Sequence, residues 1–414
     1  MEASPNALPM GNIDVHVEPW VEISPEKYRL DCLPEVRRFQ GRFEKAQNAG
    51  IEQPYFRLRT EDPDKVNLNS YNYLGLNGHP EVLQAAKDAV DKYGTSASAS
   101  RLVGGELPLH RQLEQELADF LGTEDAMVLV SGHATNVTLI SYLLGPADLV
   151  IHDAFAHDSA VRGALASRAK RCQFSHNDLS SLEEILKRER HNYRRTMVLV
   201  EGLYSMDGDF PNLPELERLQ EKYNFMLMVD EAHSMGVLGE TGRGIAEQFK
   251  MRRSEQIIWM GTLSKSLASC GGYLAGSRDF IQFLRHSLPG FVYSVGMTPA
   301  NAAGALASLR ILKREPQRVA KLRTVSNTMG RLLKEANLST GTAQGIAIFP
   351  VFFPEPHQVM QISQALSQRG IEASGIIFPA VPRSASRLRF FLSSLHTEEQ
   401  LKRAVDTLQE LAEG

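Results

Sequence analysis

The sequence predicts an α/β protein built on a mostly parallel sheet, and three observations carry that prediction. Short apolar runs stand at 126–130, 148–151, 197–200, 225–229 and 257–260, the near-continuous hydrophobicity of strands buried on both faces. Helical segments separate most of them, as in successive βαβ units. Chemically versatile residues follow two of the runs directly: Asp230-Glu-Ala-His233 after Phe225–Val229, and Lys265 in the loop after Ile257–Met260. Open α/β sheets bind ligands at the carboxyl ends of their strands, so these residues are expected to converge at one edge.

The elements follow in order. Residues 1–26 are polar and Pro-rich without a period and read as a tail or linker. Residues 27–66 hold one helix, around Pro34–Asn48, and then an extended stretch. The globular core begins at Asn67-Leu-Asn-Ser-Tyr-Asn-Tyr-Leu-Gly75. His79-Pro80-Glu81 opens a helix with proline at its first position, and Gly94 closes it. Leu109, Leu113, Leu117 and Leu121 mark one face of another helix, ended by Gly122. The last third changes character: a helix around Ala300–Lys313, a strand near Ile346–Phe353, a helix over Pro356–Arg369, a strand at Arg387–Leu392 and a final helix after Thr397. No internal repeat is visible.

A chain of 414 residues has room for two domains with sizeable cores. A formal net charge of −4 argues against a nucleic-acid or membrane footprint. Cys32, Cys172 and Cys270 are widely spaced and suggest neither a disulfide framework nor a metal site, so a reducing, cytoplasmic setting is expected. The first residues lack the basic start and apolar centre of a signal peptide. No apolar run approaches the roughly 18 residues of a membrane span.

A lone lysine in a Gly/Ser loop is ordinarily a solvated charge. An acid and a histidine at the end of the preceding strand change that reading, because pyridoxal 5′-phosphate (PLP) chemistry needs a lysine to hold the cofactor covalently and a carboxylate against its pyridine nitrogen. Asp230-Glu-Ala-His233-Ser-Met-Gly236, Gly242-Arg-Gly244 and Gly261-Thr-Leu-Ser-Lys265 resemble the motifs of the PLP-dependent α-oxoamine synthases, the family of serine palmitoyltransferase, 8-amino-7-oxononanoate synthase, 5-aminolevulinate synthase and 2-amino-3-ketobutyrate CoA ligase. The resemblance runs from about Asn67 to the C-terminus. It implies the aspartate-aminotransferase-like arrangement, fold type I. The expected organisation is an N-terminal tail and arm over 1–66, a large PLP-binding domain over 67–299 and a small C-terminal α/β domain over 300–414, with the active site at a homodimer interface.

The resemblance also implies roles. Lys265 is expected to hold the cofactor and to act as the base. Asp230 is expected against the pyridine nitrogen, His233 at the phenolic oxygen and His157 over the ring face. Gly132 and His133, between a strand and a helix, match a main-chain cofactor contact, and backbone N–H groups at a helix start suit phosphate. Ser205, within Glu201-Gly-Leu-Tyr-Ser-Met-Asp-Gly-Asp209, matches a cofactor-contacting serine, and Thr262 a phosphate contact. Ser294 matches a phosphate contact made across the dimer. Alternation along Arg387-Leu388-Arg389 puts both arginines on one face; the family spacing to His396 selects Arg389 for the amino-acid carboxylate, which a guanidinium fork binds bidentately. Asn72 matches a residue near that carboxylate. The small-residue run Gly94–Gly105 resembles a loop near the acyl substrate. No metal is expected.

The activity implied is a decarboxylative Claisen-type condensation of a small amino acid with an acyl thioester, giving an α-amino ketone, CO2 and a free thiol. Three segments, Trp259–Tyr273, Ser131–Asn136 and Pro289–Gly296, look most like α-oxoamine synthase domains of polyketide or fatty-acid assembly lines. The expected acyl donor is therefore an acyl carrier protein or a simple acyl-CoA. The alternatives are 8-amino-7-oxononanoate synthase or serine palmitoyltransferase proper, then an aminotransferase or lyase on the same fold, and a non-catalytic partner subunit.

Overall fold

The computed structural model describes residues 29–48, 64–251, 253–254, 256–378 and 380–413. The predicted tail over 1–26 and most of the extended stretch before Asn67 lie outside them. The chain divides into two compact units, residues 1–61 and 62–414. In the first, a 3-10 turn at Leu30–Cys32 leads into helix α1, Pro34–Asn48, as the sequence predicts.

The second unit starts with β1 (Val66–Asn67), α2 (Pro80–Tyr93), α3 (Pro108–Leu121), β2 (Asp125–Leu129), α4 (Gly132–Leu143) and β3 (Leu149–Asp153). It continues through α5 (Asp158–Ala166), β4 (Lys170–Phe174), α6 (Leu179–Glu189), β5 (Thr196–Glu201), α7 (Leu213–Tyr223), β6 (Met226–Asp230), α8 (Ile245–Gln248) and β7 (Ile257–Thr262). Then come β8 (Gly272–Gly276), α9 (Arg278–Ser287), α10 (Pro289–Val292), α11 (Pro299–Arg314) and α12 (Gln317–Glu335). The last elements are β9 (Ile348–Phe352), α13 (Pro356–Gln368), β10 (Ile371–Glu372), β11 (Ser374–Ile376), β12 (Arg387–Phe391) and α14 (Glu398–Glu413). The predicted punctuation holds at α2, where the His79 side chain caps the helix, Pro80 opens it and Gly94 follows it. At α3 the closing Gly122 takes the left-handed conformation, φ 72°, which a side chain would resist.

Seven strands form the main sheet in the order β2-β8-β7-β6-β5-β3-β4. They run parallel except for β8, which is antiparallel to both its neighbours. Alternate residues face opposite layers. Val198, Val200, Leu227, Val229 and Trp259 pack into one apolar core. Met197, Leu199, Met228, Ile258 and Met260 pack into the other, with Leu139, Ile140 and Leu143 of α4 and Ala160 and Ala164 of α5.

The elements that the sequence reading omits include β4, β8 and α12. Strand β4 is an edge strand, Lys-Arg-Cys-Gln-Phe, with only Phe174 buried, so it shows no apolar run. β8 begins and ends in glycine, and its first residue closes the small-residue lysine stretch. Helix α12 did carry a signal: Val319, Leu322, Val325, Met329, Leu332 and Leu333 recur at three- and four-residue steps and are buried.

A smaller antiparallel sheet has the order β11-β12-β9, and β1 pairs in parallel with β10. The segment after β1 is stitched to the smaller sheet: Phe391 N–H donates to Leu68 O at 2.8 Å and Ser394 N–H to Tyr73 O at 2.7 Å.

Buried charges tie these parts together. Glu114 of α3 accepts hydrogen bonds from Arg101, from Arg285 of α9 at 3.0 Å and from the Val128 N–H at 2.9 Å. His176 bridges two carboxylates, with Nδ1 2.8 Å from Asp153 and Nε2 3.1 Å from Asp209. Burial opposes its charge, but the hydrogen bonds to Asp153 and Asp209 outweigh burial and push its pKa up to about 10.

Two stability predictions follow from these clusters. Glu114→Gln leaves Arg101 and Arg285 short of a buried carboxylate and is expected to cost about 3 kcal/mol, read as a lower urea midpoint. His176 is charged in both folded and unfolded chains below its unfolded pKa of about 6.5, so its contribution is complete there. Above that pH the unfolded imidazole loses its proton first, and the contribution declines until it is gone near pH 10. His176→Asn should therefore flatten the fall of the urea midpoint between these two pH values.

Candidate active site

Three neighbouring strands end side by side. In the parallel register Glu201 of β5 stands opposite Asp230 of β6, and Asp230 opposite Met260 of β7. Alternation then turns Glu201, Asp230 and Thr262 to the face that carries Leu199, Met228 and Met260. Helices α4 and α5 cover that face, and their N-terminal ends complete a cavity of about 250 Å³. Gly132, His133, His157, Asp230, His233, Thr262 and Lys265 all line it. The structure thus gathers seven of the residues singled out from the sequence.

Asp230 forms its floor. Its Oδ1 accepts the Ala232 N–H at 2.9 Å and its Oδ2 accepts from Asn136 Nδ2 at 2.8 Å. The second hydrogen on that amide goes to Ser159 Oγ at 2.9 Å. The Ser159 hydroxyl hydrogen is thereby left for His157 Nδ1, 2.7 Å away. His157 thus accepts at Nδ1 and carries its proton on Nε2. Burial, which outweighs the pull of Asp230, keeps its pKa below the usual imidazole range. Its ring meets that of His133 at 6.4 Å between centroids.

His233 is fixed from the opposite side. Tyr73 OH lies 2.7 Å from its Nδ1. Burial, and then the neighbouring Tyr71, hold the Tyr73 phenol well above its ordinary pKa, so the neutral hydroxyl donates to Nδ1. Burial, with Lys265 and Arg389 adding to it, keeps His233 well below its ordinary pKa. A neutral ring that accepts at Nδ1 keeps a donor N–H at Nε2.

Lys265 stands in the loop between β7 and β8. The loop is pinned by Leu263 N–H to Gly271 O at 2.9 Å, Ser269 N–H to Leu263 O at 2.9 Å and Ser266 Oγ to Met235 O at 2.7 Å. Its Nζ lies 5.5 Å from the centre of the Tyr71 ring. Burial brings its pKa down to about 8, against Asp230 and Glu201, with Arg389 assisting. An amine so placed is available as a base near neutral pH.

The first turn of α4 opposes this edge. Ser131 caps it, accepting the Ala134 N–H, and the N–H groups of Gly132 and His133 have no hydrogen-bond partner among the described residues. A Cβ on Gly132 would stand 3.0 Å from Thr262, so glycine lets the helix start approach the strand end.

Four other predicted residues lie outside this cavity's lining. Ser205 lines a second cavity, about 700 Å³, whose wall shares His157 and Glu201 with the first. Asn72 uses its side-chain oxygen to accept the Asn77 N–H at 3.0 Å. Ser294 follows α10, between exposed Tyr293 and Val295. Arg389 donates to Ser205 O at 3.0 Å and sits 4.6 Å from the Phe391 ring centre. Its buried Nε has no partner among the described residues. Arg387, two residues away, is committed to Asp207 Oδ1 at 2.7 Å, Met206 O at 2.9 Å and Ala385 O at 2.9 Å. The geometry thus separates two arginines that alternation alone leaves equivalent.

Sequence reasoning assigned no role to Glu201, Asn136, Ser159, Tyr71 or Tyr73. Asn136 lies one helical turn beyond Gly132 and Glu201 opens the Glu201–Asp209 segment, so both stood within motifs already singled out. The tyrosines alternate along Asn67–Gly75, a pattern that carries no chemistry until the fold brings it to His233.

The donor set fits PLP. Unused N–H groups at the start of a twelve-residue helix suit a phosphate, and the Thr262 hydroxyl beside them now gives its hydrogen to Gly271 O at 2.9 Å. A carboxylate, a flat ring, an imidazole donor and a low-pKa lysine stand around the remaining space.

Known proteins agree with this reading. The sequence profile of the family described as aminotransferase class I and II matches residues 63–408. An 8-amino-7-oxononanoate synthase of Thermoanaerobacter pseudethanolicus is 36% identical over 346 residues, 84% of this chain and 87% of that protein. One from Symbiobacterium thermophilum is 36% identical over 367 residues, 87% and 93% of the two chains. A solved serine palmitoyltransferase from S. paucimobilis, with a bound PLP–myriocin aldimine, superposes with a TM-score of 0.86 at 29% identity, covering 91% of this chain and 98% of that one. By these matches the chain belongs to the aminotransferase class I and II family and, within it, to the PLP-dependent α-oxoamine synthases, acyltransferases of fold type I that join an amino acid to an acyl thioester with loss of CO2.

Proposed function

We propose that this chain condenses a small amino acid with an uncharged acyl chain delivered on a carrier protein or as a simple acyl-CoA. The observation that carries the amino-acid half is Arg389: a half-buried guanidinium whose buried Nε has no partner among the described residues, close enough to Lys265 and His233 to lower both their pKa values. It takes the substrate carboxylate and so orients the Cα–H bond. Lys265 removes the Cα proton and later returns one to the same carbon. The bound cofactor supplies the electron sink for the charge at Cα. Gly132, His133 and Thr262 would hold its phosphate, with Ser294 reaching in from a second copy of the chain. Asp230 would hold its ring nitrogen, His233 its phenolic oxygen and His157 its face. Asn72 and Ser205 complete the substrate and cofactor shell.

The second cavity supports the acyl half. Phe155, Val161, Phe378, Val381 and Pro382 give it apolar walls. Its lining among the described residues holds the ionisable groups Asp158, Glu201, Asp207 and Arg387; Arg387 is paired with Asp207 and Asp158 with Arg162. A chain ending in a carboxylate, or the phosphates of a nucleotide, would find no unpaired cation among those described lining residues. A neutral chain on a carrier's flexible arm would not, as in a polyketide or fatty-acid assembly line.

Homodimer formation has its own support. Ser100 bridges to Val295, and exposed Leu102, Val103, Tyr293 and Val295 lie along these two segments, an apolar surface that association would cover. Three free cysteines suit a cytoplasmic setting. No helix among the described residues is long and apolar enough to cross a membrane.

Thiol release should require an amino acid and an acyl thioester together, and Lys265→Ala should abolish it. Release from the thioester alone, or near-normal turnover in the variant, contradicts the mechanism. One acyl chain offered on CoA and on carrier protein, with glycine, alanine and serine in turn, identifies the substrates. A preference for pimeloyl-CoA with alanine would make the chain an 8-amino-7-oxononanoate synthase, and palmitoyl-CoA with serine a serine palmitoyltransferase. Arg389→Ala should weaken amino-acid binding by about 2–5 kcal/mol and PLP binding far less, measured by spectral titration of the holoenzyme. An unchanged midpoint would place the carboxylate elsewhere.

A further inference from the structure

The condensation takes up a proton that Lys265 does not supply. With groups in their neutral-pH forms, an ammonium-carboxylate amino acid, an acyl thioester and one proton give an ammonium ketone, CO2 and a thiol. The bond from Cα to the carboxylate and the C–S bond break, and one bond from Cα to the acyl carbon forms. Lys265 takes a proton from Cα and gives one back, so its net contribution is zero. The proton that ends on sulfur comes from another acid.

Glu201 occupies the position for it. It is the last residue of β5 and 6% exposed. Among the described residues, it and His157 line both the lysine cavity and the larger apolar one. Its Oε1 accepts the His157 N–H at 2.7 Å, and its Oε2 has no hydrogen bond among the described residues. His157 is held neutral, accepting from Ser159, and so offers no cationic acid at this boundary. We propose that Glu201 is the acid of the acyl half-reaction: it passes its proton to the sulfur as the C–S bond breaks, and solvent reached through the larger cavity restores it.

The surroundings keep that proton in place beforehand. Asp230 faces Glu201 from β6, Asp153 from the end of β3, Tyr204 from its own loop, Lys265 from the loop after β7 and His157 from the start of α5. Burial, and then the Asp230 charge, push the Glu201 carboxyl up to about 8 against the pull of Lys265 and the His157 N–H. Two acids in register on adjacent strands thus divide the work, Asp230 as acceptor and Glu201 as donor. An acid near 8 is matched to a thiol, whose ordinary pKa is about 8.5.

The inference rests on the condensation proposed above, so both are tested together on the holoenzyme. Glu201→Gln keeps a side-chain oxygen for the His157 N–H and removes the proton. Two rates are compared: exchange of the Cα hydrogen of the amino acid alone in D2O, and thiol release with both substrates. Thiol release should fall about 10²–10⁴-fold while Cα exchange falls less than about tenfold. Wild-type kcat should decline above about pH 8, and the variant should lack that alkaline limb. Glu201→Asp, a shorter acid, should recover part of the lost rate and the limb with it. In the cofactor-free protein, an infrared carboxylic-acid band should titrate near pH 8 and vanish in Glu201→Gln. Equal loss of both rates in the glutamine variant, an alkaline limb identical to wild type, or absence of the band would overturn the role. A wild-type protein that exchanges Cα hydrogen yet releases no thiol with any acyl thioester would overturn the condensation itself, and the role of Glu201 with it.

Discussion

Strand register is the constraint on which this site depends. Glu201, Asp230 and Thr262 meet because β5, β6 and β7 end together and turn the same parity of residue to the same layer. A slip of one residue in β6 would send Asp230 to the other core and bring Val229 or Glu231 into its place. Both faces of the sheet are packed, with methionines and leucines on one side and valines, Leu227 and Trp259 on the other, so the register is held by volume on both sides. The chemistry at the rim inherits its precision from apolar packing below it.

The remainder of the site is brought in by parts distant in sequence. The segment after β1 is sewn to the smaller sheet and delivers Tyr73 to His233. Strand β12 delivers two arginines with different fates, one closed by Asp207 and one whose Nε has no partner among the described residues. Asn136 and Ser159 carry a hydrogen-bond path from Asp230 to His157, so the floor and the side wall of the cavity share one set of donors. The path fixes the direction of each donor along it, while the buried Asn136 Oδ1 has no partner among the described residues.

Much of this was legible in the sequence. The parallel-sheet strands and the lysine, acid and histidine at their ends were visible because periodicity and end chemistry are local signals. Strand β4 was hidden by its polar edge position and β8 by its glycines. The difference between Arg387 and Arg389 depends on what Asp207 and Met206 do, and the pairing of Tyr73 with His233 spans 160 residues. Neither is a property of a stretch of chain. Glu201 stands within a recognisable motif, but its burial and its neighbour on β6 are facts of the sheet.

The antiparallel strand β8 has a consequence for how such a protein can diversify. In open parallel sheets the connections beyond the strand ends are where length varies. Here the lysine loop spans only the gap between two directly paired strands, closed by Thr262 opposite Gly272. An added or deleted residue would break that closure and turn the amine away. Inherited change in substrate choice is therefore directed to other segments, those around Phe155, Met206 and Phe378 that wall the larger cavity, while the lysine hairpin keeps its length.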